Sequence, residues 1–525
     1  MSTASMTDTT SSQVRLRGFA LASVLIALML SLFLEALDQT VVGTAMPRII
    51  AELHGLDRYT WVVTAYVLTT MSMVPIVGKL SDQFGRKWFL LGGTVLFLIG
   101  SLLAGASQTM NQLIFFRALQ GLGAGIGMAL VATVVGDLFP PAERAKWSSL
   151  FGIVYGVSNL FGPTLGGWLT EHGPLMGNFV TTSSRWRWVF YINLPVGLIA
   201  VIALLFFLPA HLSVRTSDKT GLAAIRHIDF LGAVLSTVAT ICLMLGLTWG
   251  SSQMYAWNSP QVLGLMGIGV VLFLLFALVE RRAAEPILPL DLFRNQVWSC
   301  AALLTMLQMM VLMGLSLYLP LYLQGVLSVS PTISGLVMTP LSISMVVGAM
   351  LAGPIIGALK RYQLVTIIGA LLMGIGTFFF TLMTPSTSLW QAIGFMILAG
   401  IGTGTFFSLT AVAQNVLPAS SLGVGTAANR YLGQLGATLG IAIVGTVVNS
   451  SASSDVMRSL PSTEAGKLSL ATALQHGFVA VLTFTIIALL VTFFLKDVPF
   501  VTASPDQATE QTDATAEKQS APAPK

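Results

Sequence analysis

The stretch "GKLSDQFGRK", residues 78–87, is a short charged segment between two long apolar runs. Its glycines, Gly78 and Gly85, permit tight turns and a close approach of neighbouring helices. Asp82 lies near the expected start of the next helix, where the helix dipole favours an anion. Two basic residues end the stretch, and such residues are enriched in cytoplasmic loops. The stretch therefore predicts a tight cytoplasmic connection between two membrane spans.

The rest of the chain is apolar enough to support that prediction. Only 9% of its 525 residues are charged, whereas soluble domains average about 25%. A membrane span needs about 20 largely apolar residues, and fourteen such segments can be counted. They start near residues 19, 60, 88, 111, 147, 188, 230, 261, 297, 332, 364, 390, 427 and 473. We expect an all-α polytopic membrane protein with fourteen transmembrane helices.

The distribution of positive charge predicts the orientation. Most of the 26 Lys and Arg residues fall in segments on the same side as the N-terminus. Positive charge marks cytoplasmic loops, so both termini are expected in the cytoplasm. The location expected for this multi-pass chain is the inner (cytoplasmic) membrane.

Several classes of function find no support in the sequence. Cys242 and Cys300 lie in separate apolar segments, and the five histidines are scattered, which predicts neither a disulfide framework nor a metal site. No G-x-x-x-x-G-K-[ST] sequence is present, so direct ATP coupling is not expected. No catalytic cluster suggests an enzyme, and the net charge does not indicate a nucleic-acid partner.

A family resemblance follows from the opening stretch and from blocks that accompany it. Residues 78–87 resemble the G-x-L-x-D-x-x-G-R-K loop of the major facilitator superfamily. The further blocks match hallmarks of that superfamily and of its 14-span drug:proton antiporters, which are multidrug efflux transporters. They are "LDQTVVGTAMP" (37–47), "RALQG" (117–121), "GPTLGG" (162–167), "WRWVFYINLPVG" (186–197) and "LPLYLQGVLSVSPTISG" (319–335).

The resemblance implies a major facilitator fold of two six-helix bundles with two extra central helices. Alternating access of a central cavity to the two sides would follow from that architecture. The segments expected are a cytoplasmic tail at 1–17, an N-terminal bundle at 18–208, a linker with two extra helices at 209–296, a C-terminal bundle at 297–496 and a disordered cytoplasmic tail at 497–525.

The resemblance also assigns a conformational latch to the opening stretch. In the family this cluster is thought to hold the two bundles in one state, with an arginine of the loop paired to an acid at the end of span 4. The alternative is a solvated, positive-inside loop. The latch residues would be Gly78, Asp82, Gly85, Arg86, Lys87 and Asp137.

Two acids in the first span are candidates for proton coupling. Glu35 and Asp38 share one helix face at spacing i, i+3, and their mutual repulsion and burial favour keeping at least one protonated. Asp38 matches the family's span-1 aspartate, whereas the role of Glu35 rests on spacing alone. Arg117, in span 4, needs a cavity or a partner at that depth, and the resemblance gives it a part in coupling. The alternatives are acids that cap local hydrogen bonds and an arginine that reaches the interface.

The fifth span carries the candidate antiporter motif. Small residues spaced by four let helix backbones approach closely, and Pro163 can bend the helix. The resemblance implies that this bend makes exchange obligatory, while generic small-residue packing is the alternative. The family pattern expects glycine where Ser158 stands. The motif residues are Ser158, Gly162, Pro163, Gly166 and Gly167.

Aromatic and amide side chains within the spans are candidates for the lining of the substrate cavity. Hydrogen bonding between helices is an equally good explanation for each of them. They are Tyr66, Gln120, Tyr155, Asn159, Gln308, Tyr318, Gln324, Gln414 and Asn415. In "WRWVFYINLPVG", Trp186, Trp188 and Tyr191 are expected to form an interfacial aromatic belt, and Asn193 to shape the entry of the helix.

The function expected is proton-coupled export of drug-like amphiphilic or cationic compounds. The chain would use the proton gradient rather than a cofactor and would work as a monomer. The alternative is a dedicated exporter of one metabolite, antibiotic or lipid with the same coupling. A nutrient importer is disfavoured by "GPTLGG" in span 5.

Overall fold

A computed structural model describes residues 18–138, 141–177, 180–209, 230–251, 255–283, 288, 290–417, 422–452 and 463–497. The predicted N-terminal tail, nearly all of the predicted C-terminal tail and most of the segment 209–229 lie outside these residues.

The described residues form a helical structure. The helices are α1 (Phe19–Leu53), α2 (Tyr59–Phe84), α3 (Arg86–Ala106), α4 (Met110–Leu138), α5 (Pro141–His172), α6 (Trp188–Tyr191), α7 (Asn193–Phe207), α8 (Phe230–Ser251), α9 (Pro260–Glu280), α10 (Gln296–Gly325), α11 (Pro331–Leu359), α12 (Tyr362–Thr381), α13 (Leu389–Thr405), α14 (Leu409–Asn415), α15 (Leu422–Ser451) and α16 (Glu464–Thr492). Within the described ranges the extended pairing is one isolated bridge, between Met176 and Val180.

The helices begin close to the predicted starts of the spans. The largest differences are at α5 and α16, which begin at Pro141 and Glu464 rather than near residues 147 and 473. In the described part of the chain, 11 helical segments are long and apolar enough to cross a membrane. The prediction of an all-α polytopic membrane protein is therefore confirmed, while the count of fourteen spans stays a prediction.

Local sequence signals explain several of these boundaries. Ser259 and Ser330 each precede a proline, and their hydroxyls accept hydrogen bonds from the backbone N–H groups three residues on, at 3.3 Å. A serine cap followed by proline at the first helical position is a strong helix start. The serine hydroxyl accepts a hydrogen bond from a backbone N–H that has no partner within the helix, and proline has no N–H that would need one. Ser388 and Gln391 complete a reciprocal capping box at the start of α13.

Two halves of the molecule pack in the same way. In the first half, α1–α7, helix α4 packs against α2 and α3, and α1 packs against α7. In the second half, α10–α16, helix α13 packs against α11 and α12, and α10 packs against α16. Helices α8 and α9 pack on each other between these halves along the chain. The contacts between halves are matched as well, since α5 meets α11 and α2 meets α15.

Hydrogen bonds join the two halves at one end of the molecule, which we call the closed end. There α1, α5 and α10 end, and α2 and α11 begin. The Gln324 amide donates to the Thr44 carbonyl at 2.8 Å, and the Tyr59 hydroxyl donates to the carbonyl of Leu317. These bonds fasten α1 and α2 of the first half to α10 of the second.

Candidate proton and substrate site

A buried ion pair lies at the centre of the first half. Asp38, near the middle of α1, pairs with Arg117 of α4, and each residue is 1% exposed. Removing either partner would leave an uncompensated charge inside the membrane body, which is strongly unfavourable. Arg117 was expected to need a cavity or a partner, and its partner is Asp38, one of the two candidate acids.

Neutral side chains complete the surroundings of this pair. The Gln120 amide donates to Asp38 Oδ1 at 2.9 Å, while its oxygen accepts from Arg117 at 2.7 Å. The Arg117 guanidinium carbon lies 4.2 Å from the centre of the Tyr66 ring. Tyr66 and Gln120, which were predicted to line the cavity, therefore contact the ion pair and are themselves buried.

Two residues that sequence reasoning did not assign to the site belong to it. The Asn193 amide donates to Asp38 Oδ1 at 3.2 Å and to Ser101 Oγ at 2.9 Å. Ser101 Oγ also accepts from Gln120 at 3.1 Å and donates to the Phe190 carbonyl at 2.9 Å. The available signal was the polar Asn193 inside "WRWVFYINLPVG", which sequence analysis assigned to helix entry. Ser101, a single serine in an apolar helix, gave no distinctive signal.

Glu35 has surroundings unlike those of Asp38. It is 4% exposed, and its Oε2 has no hydrogen-bond partner among the described residues. Its Oε1 lies against Gly127 of α4, where a Cβ added to the glycine would be only 1.8 Å away. Arg430 of α15 interacts with it electrostatically from the second half. One acid is thus fully paired, whereas the other has only a longer-range electrostatic interaction with a cation of the opposite half.

The remaining cavity candidates are not gathered at this site. The Gln308 amide donates to the Thr403 carbonyl at 2.9 Å, and the Gln414 amide donates to Thr426 at 3.1 Å. Tyr318 packs on Tyr59 with ring centres 5.6 Å apart. These contacts correspond to the alternative of bonding between helices. Asn415 ends α14, Gln324 lies at the closed end, and the side chains of Tyr155 and Asn159 lie outside the described part.

Comparison with known proteins shows the family of this chain. The family model for the Major Facilitator Superfamily matches residues 28–441. The chain belongs to the Major Facilitator Superfamily. It is 38% identical over 426 residues to Multidrug resistance protein 3 of Bacillus subtilis, covering 81% of this chain and 79% of that protein. It is 37% identical over 425 residues to Multidrug transporter protein MdtP of the same organism, covering 81% and 74%.

Solved structures of the superfamily share the fold. A bacterial homologue of the human lysosomal transporter Spinster, in an inward-facing and occupied conformation, aligns with a TM-score of 0.65 at 17% identity, covering 91% of this chain and 97% of that one. The predicted family is confirmed, and a member of this superfamily is a transporter rather than an enzyme.

The superfamily's loop motif is described only in part. Gly85 has φ of 88° between α2 and α3, a conformation that favours glycine. Arg86 is buried at the start of α3, and the Lys87 ammonium donates to the Leu205 carbonyl at 2.7 Å. The side chains of Asp82 and Asp137 lie outside the described part, as does what surrounds Gly78. The latch therefore stays a prediction.

The candidate antiporter motif contacts helices of both halves. Ser158 accepts from Thr40 of α1 through its carbonyl at 3.3 Å, and Gly162 and Gly166 face Thr40 and Thr44. On the other side, a Cβ at Gly167 would lie 2.0 Å from the Pro331 carbonyl oxygen, and one at Gly335 would lie 2.2 Å from that of Pro163. The backbones of α5 and α11 thus touch at the closed end.

The aromatic belt prediction is wrong for Trp186. Its side chain is fully buried, and its indole N–H donates to Glu52 at 2.8 Å. Arg187 pairs with the same carboxylate at 3.5 Å. A buried indole N–H needs a hydrogen-bond acceptor. The Glu52 carboxylate supplies that acceptor, so the indole can lie inside the molecule.

Glu171 joins the two halves near the contact between Gly167 of α5 and Pro331 of α11. It lies in the last turn of α5, and its Oε2 accepts from the backbone N–H of Thr332, in the first turn of α11, at 3.2 Å. Partial burial opposes ionisation, but hydrogen bonds from Thr332 and Ser330 outweigh it and lower the pKa of the carboxyl below its ordinary value of 4.5. The stabilisation by ionised Glu171 is present above that ordinary value and is lost as pH falls through the lowered pKa.

We expect Glu171→Gln to loosen the closed end at neutral pH. The effect should be modest, about 1.5- to 5-fold, because exposed charge interactions contribute little. The measurement is the labelling rate of a single cysteine at Thr339, which bonds Thr164 across the contact at 2.8 Å, with Cys242 and Cys300 replaced by serine. Glu464→Gln is the control, since Glu464 lies at the start of α16 and pairs within its own helix. Equal labelling rates at pH 7 in both variants would contradict this role.

Proposed function

We propose that this protein is a proton-coupled antiporter that exports drug-like amphiphilic or cationic compounds across the cytoplasmic membrane. The observation that carries the proposal is the buried Asp38–Arg117 pair with its amide partners. A carboxylate so enclosed changes its contacts when it takes up a proton. The two Bacillus relatives are named for multidrug transport, which supports the class of substrate.

The proposed architecture is two six-helix bundles, fourteen spans in all, with α8 and α9 as the extra pair. The matched packing within the two halves supports this division. With both termini in the cytoplasm, α1 runs outward and the closed end faces the exterior. The state described is then inward-facing, and exchange of access occurs by rocking one half against the other.

The proton step follows from the contacts of Asp38. In the inward-facing state the ionised carboxylate accepts bonds from Arg117, Gln120 and Asn193. When access changes to the outer side, a proton binds to Asp38 and cancels its charge, which weakens the charge-assisted bond to Arg117. On return, the proton leaves to the cytoplasm and the ion pair re-forms.

Glu35 is proposed to hold the positive charge of the substrate. It lacks a close cationic partner among the described residues, and Arg430 interacts with it only from the opposite half. A bound organic cation would take the place of that interaction. Asp38 and Glu35 would then divide the work, since one exchanges the proton and the other binds the cation.

The direct test is dye transport in everted membrane vesicles. A proton gradient should drive ethidium into the vesicles, and an uncoupler should stop that uptake. Absence of any proton flux accompanying dye movement would refute the coupling. Ethidium resistance in a pump-deficient host separates the two substrate hypotheses, because a dedicated exporter of one metabolite, antibiotic or lipid should confer none.

We expect Glu35→Gln to change substrate selectivity rather than abolish transport. The amide keeps the shape of the side chain but cannot attract a cation. Uptake of ethidium should fall more than uptake of an uncharged amphiphile, measured in the same vesicles. Equal loss for both compounds would contradict a role in binding charge, and the matched control is Glu464→Gln on the surface.

A further inference from the structure

We infer that Asn193 is a positioning residue that holds the Asp38 carboxylate in place for proton exchange. This inference rests on the proposed function and concerns the same site. Asn193 is the first residue of α7 and is 1% exposed. Its amide nitrogen contacts both Asp38 Oδ1 and Ser101 Oγ, at 3.2 and 2.9 Å.

The orientation of the Asn193 amide indicates that it acts as a hydrogen-bond donor to Asp38. Its nitrogen faces the carboxylate, and its own oxygen is buried with no hydrogen-bond partner in the described part of the chain. Turning the amide over would place oxygen against Asp38 Oδ1, where two acceptors repel each other. A buried polar atom without a partner calls for an explanation. Here the carbonyl stays unpaired because the amide nitrogen is held as a donor to both neighbouring oxygens.

Ser101 holds the two amides against the same carboxylate oxygen. Its Oγ accepts from Asn193 and from Gln120, and its own proton goes to the Phe190 carbonyl. The serine therefore presents only acceptor capacity to the amides, which fixes them as donors. Hydrogen bonds donated to a carboxylate stabilise its charged form, so Asn193, Gln120 and Ser101 together hold Asp38 as the ionised partner of Arg117.

The other charged groups near Asp38 do not replace the hydrogen bonds that the amides donate to its carboxylate. Arg117 of α4 pairs with it, Tyr66 of α2 stacks on that arginine, and Glu35 precedes it on α1 itself. Other titratable side chains described on elements packed against α1 are Tyr59 of α2, Glu171 and His172 of α5, Arg185 and Arg187 before α6, Tyr191 of α6, and Cys300, Tyr318 and Tyr322 of α10. Asn193 supplies a donor that is uncharged and so acts equally across the physiological pH range.

The test is the pH dependence of ethidium binding to the purified full-length protein in lipid nanodiscs. Binding is tighter once Asp38 has released its proton, so the midpoint of the pH dependence reports that release. Asn193→Ala should move the midpoint about one to two units to higher pH, since one unit corresponds to about 1.36 kcal/mol and a hydrogen bond to a charged group contributes about 1.5–3 kcal/mol. Asn193→Asp should move it further in the same direction, because a second acid adds repulsion.

Two variants of α3 provide a second test and a control. Ser101→Ala should shift the midpoint in the same direction by a smaller amount, since both amides remain but lose their shared acceptor. Thr94→Ala should leave the midpoint unchanged, because its hydroxyl donates within α3, to the Leu90 carbonyl at 2.9 Å. Unmoved midpoints in Asn193→Ala and Ser101→Ala, with or without reduced binding, would overturn the inference. If Asn193→Ala does not fold, Ser101→Ala decides alone.

The same measurement distinguishes a failure of proton coupling from a failure of the role of Asn193. If the unaltered protein binds ethidium without any pH dependence, the proposed proton coupling fails. If its binding depends on pH but the Asn193 and Ser101 variants share the same midpoint, only the role of Asn193 fails.

Discussion

Asp38→Asn is expected to abolish gradient-driven efflux while leaving the protein inserted in the membrane. The amide cannot take up or release a proton at this position. It also leaves Arg117 buried, at 1% exposure, without its carboxylate partner. Gln120 and the Tyr66 ring still contact the guanidinium, which favours insertion of the variant. Ethidium uptake into everted vesicles, normalised to the amount of protein, measures the effect.

The matched control for this prediction is Asp291→Asn. Asp291 is an exposed aspartate that pairs with Arg294 on the surface at 3.4 Å, and such pairs contribute little. Its replacement should leave uptake unchanged. Full gradient-driven uptake by Asp38→Asn would refute the assignment of the proton site.

Gly335→Ala is expected to have the second largest effect, because it separates the two halves at the closed end. A Cβ there would lie 2.2 Å from the Pro163 carbonyl oxygen, an overlap with backbone that only a shift of α5 or α11 can relieve. Overpacking of this kind costs about 1–3 kcal/mol, which disfavours the inward-facing state about 5- to 150-fold. Efflux should fall accordingly. In a protein that also carries Thr339→Cys, the introduced cysteine should be labelled faster from outside.

A second glycine of the same helix provides the control. Gly353 has open space where a Cβ would be, with nothing within 4 Å, so Gly353→Ala should transport normally. Normal efflux by Gly335→Ala, with unchanged labelling at Thr339, would show that the contact between α5 and α11 is not needed.

Much of the fold could be predicted because it depends on local signals. Apolar length locates the helices, and Ser259–Pro260 and Ser330–Pro331 mark two starts that the structure reproduces within a residue of the prediction. The family motifs then predicted the superfamily. The count of spans is harder, since α2 and α5 carry polar residues such as Thr64 and Ser158, which are buried within the molecule.

The site could be predicted only in part because its contacts are distant in sequence. Spacing along α1 paired Glu35 with Asp38, but the structure gives Asp38 a partner 79 residues away. Asn193 reaches the same carboxylate from 155 residues away, which no periodicity reveals. Trp186 was expected at the membrane interface because aromatic composition is typical there, yet a single carboxylate, Glu52, binds it in the interior.

Proton release on substrate binding tests the central claim most directly. Purified protein in weakly buffered solution is mixed with ethidium, and the pH change is recorded against the amount of dye bound. We expect the unaltered protein to release protons in proportion to bound dye, whereas Asp38→Asn, at dye concentrations high enough to saturate its weaker binding, should release none. Undiminished release by Asp38→Asn would contradict the proposal that Asp38 exchanges the proton.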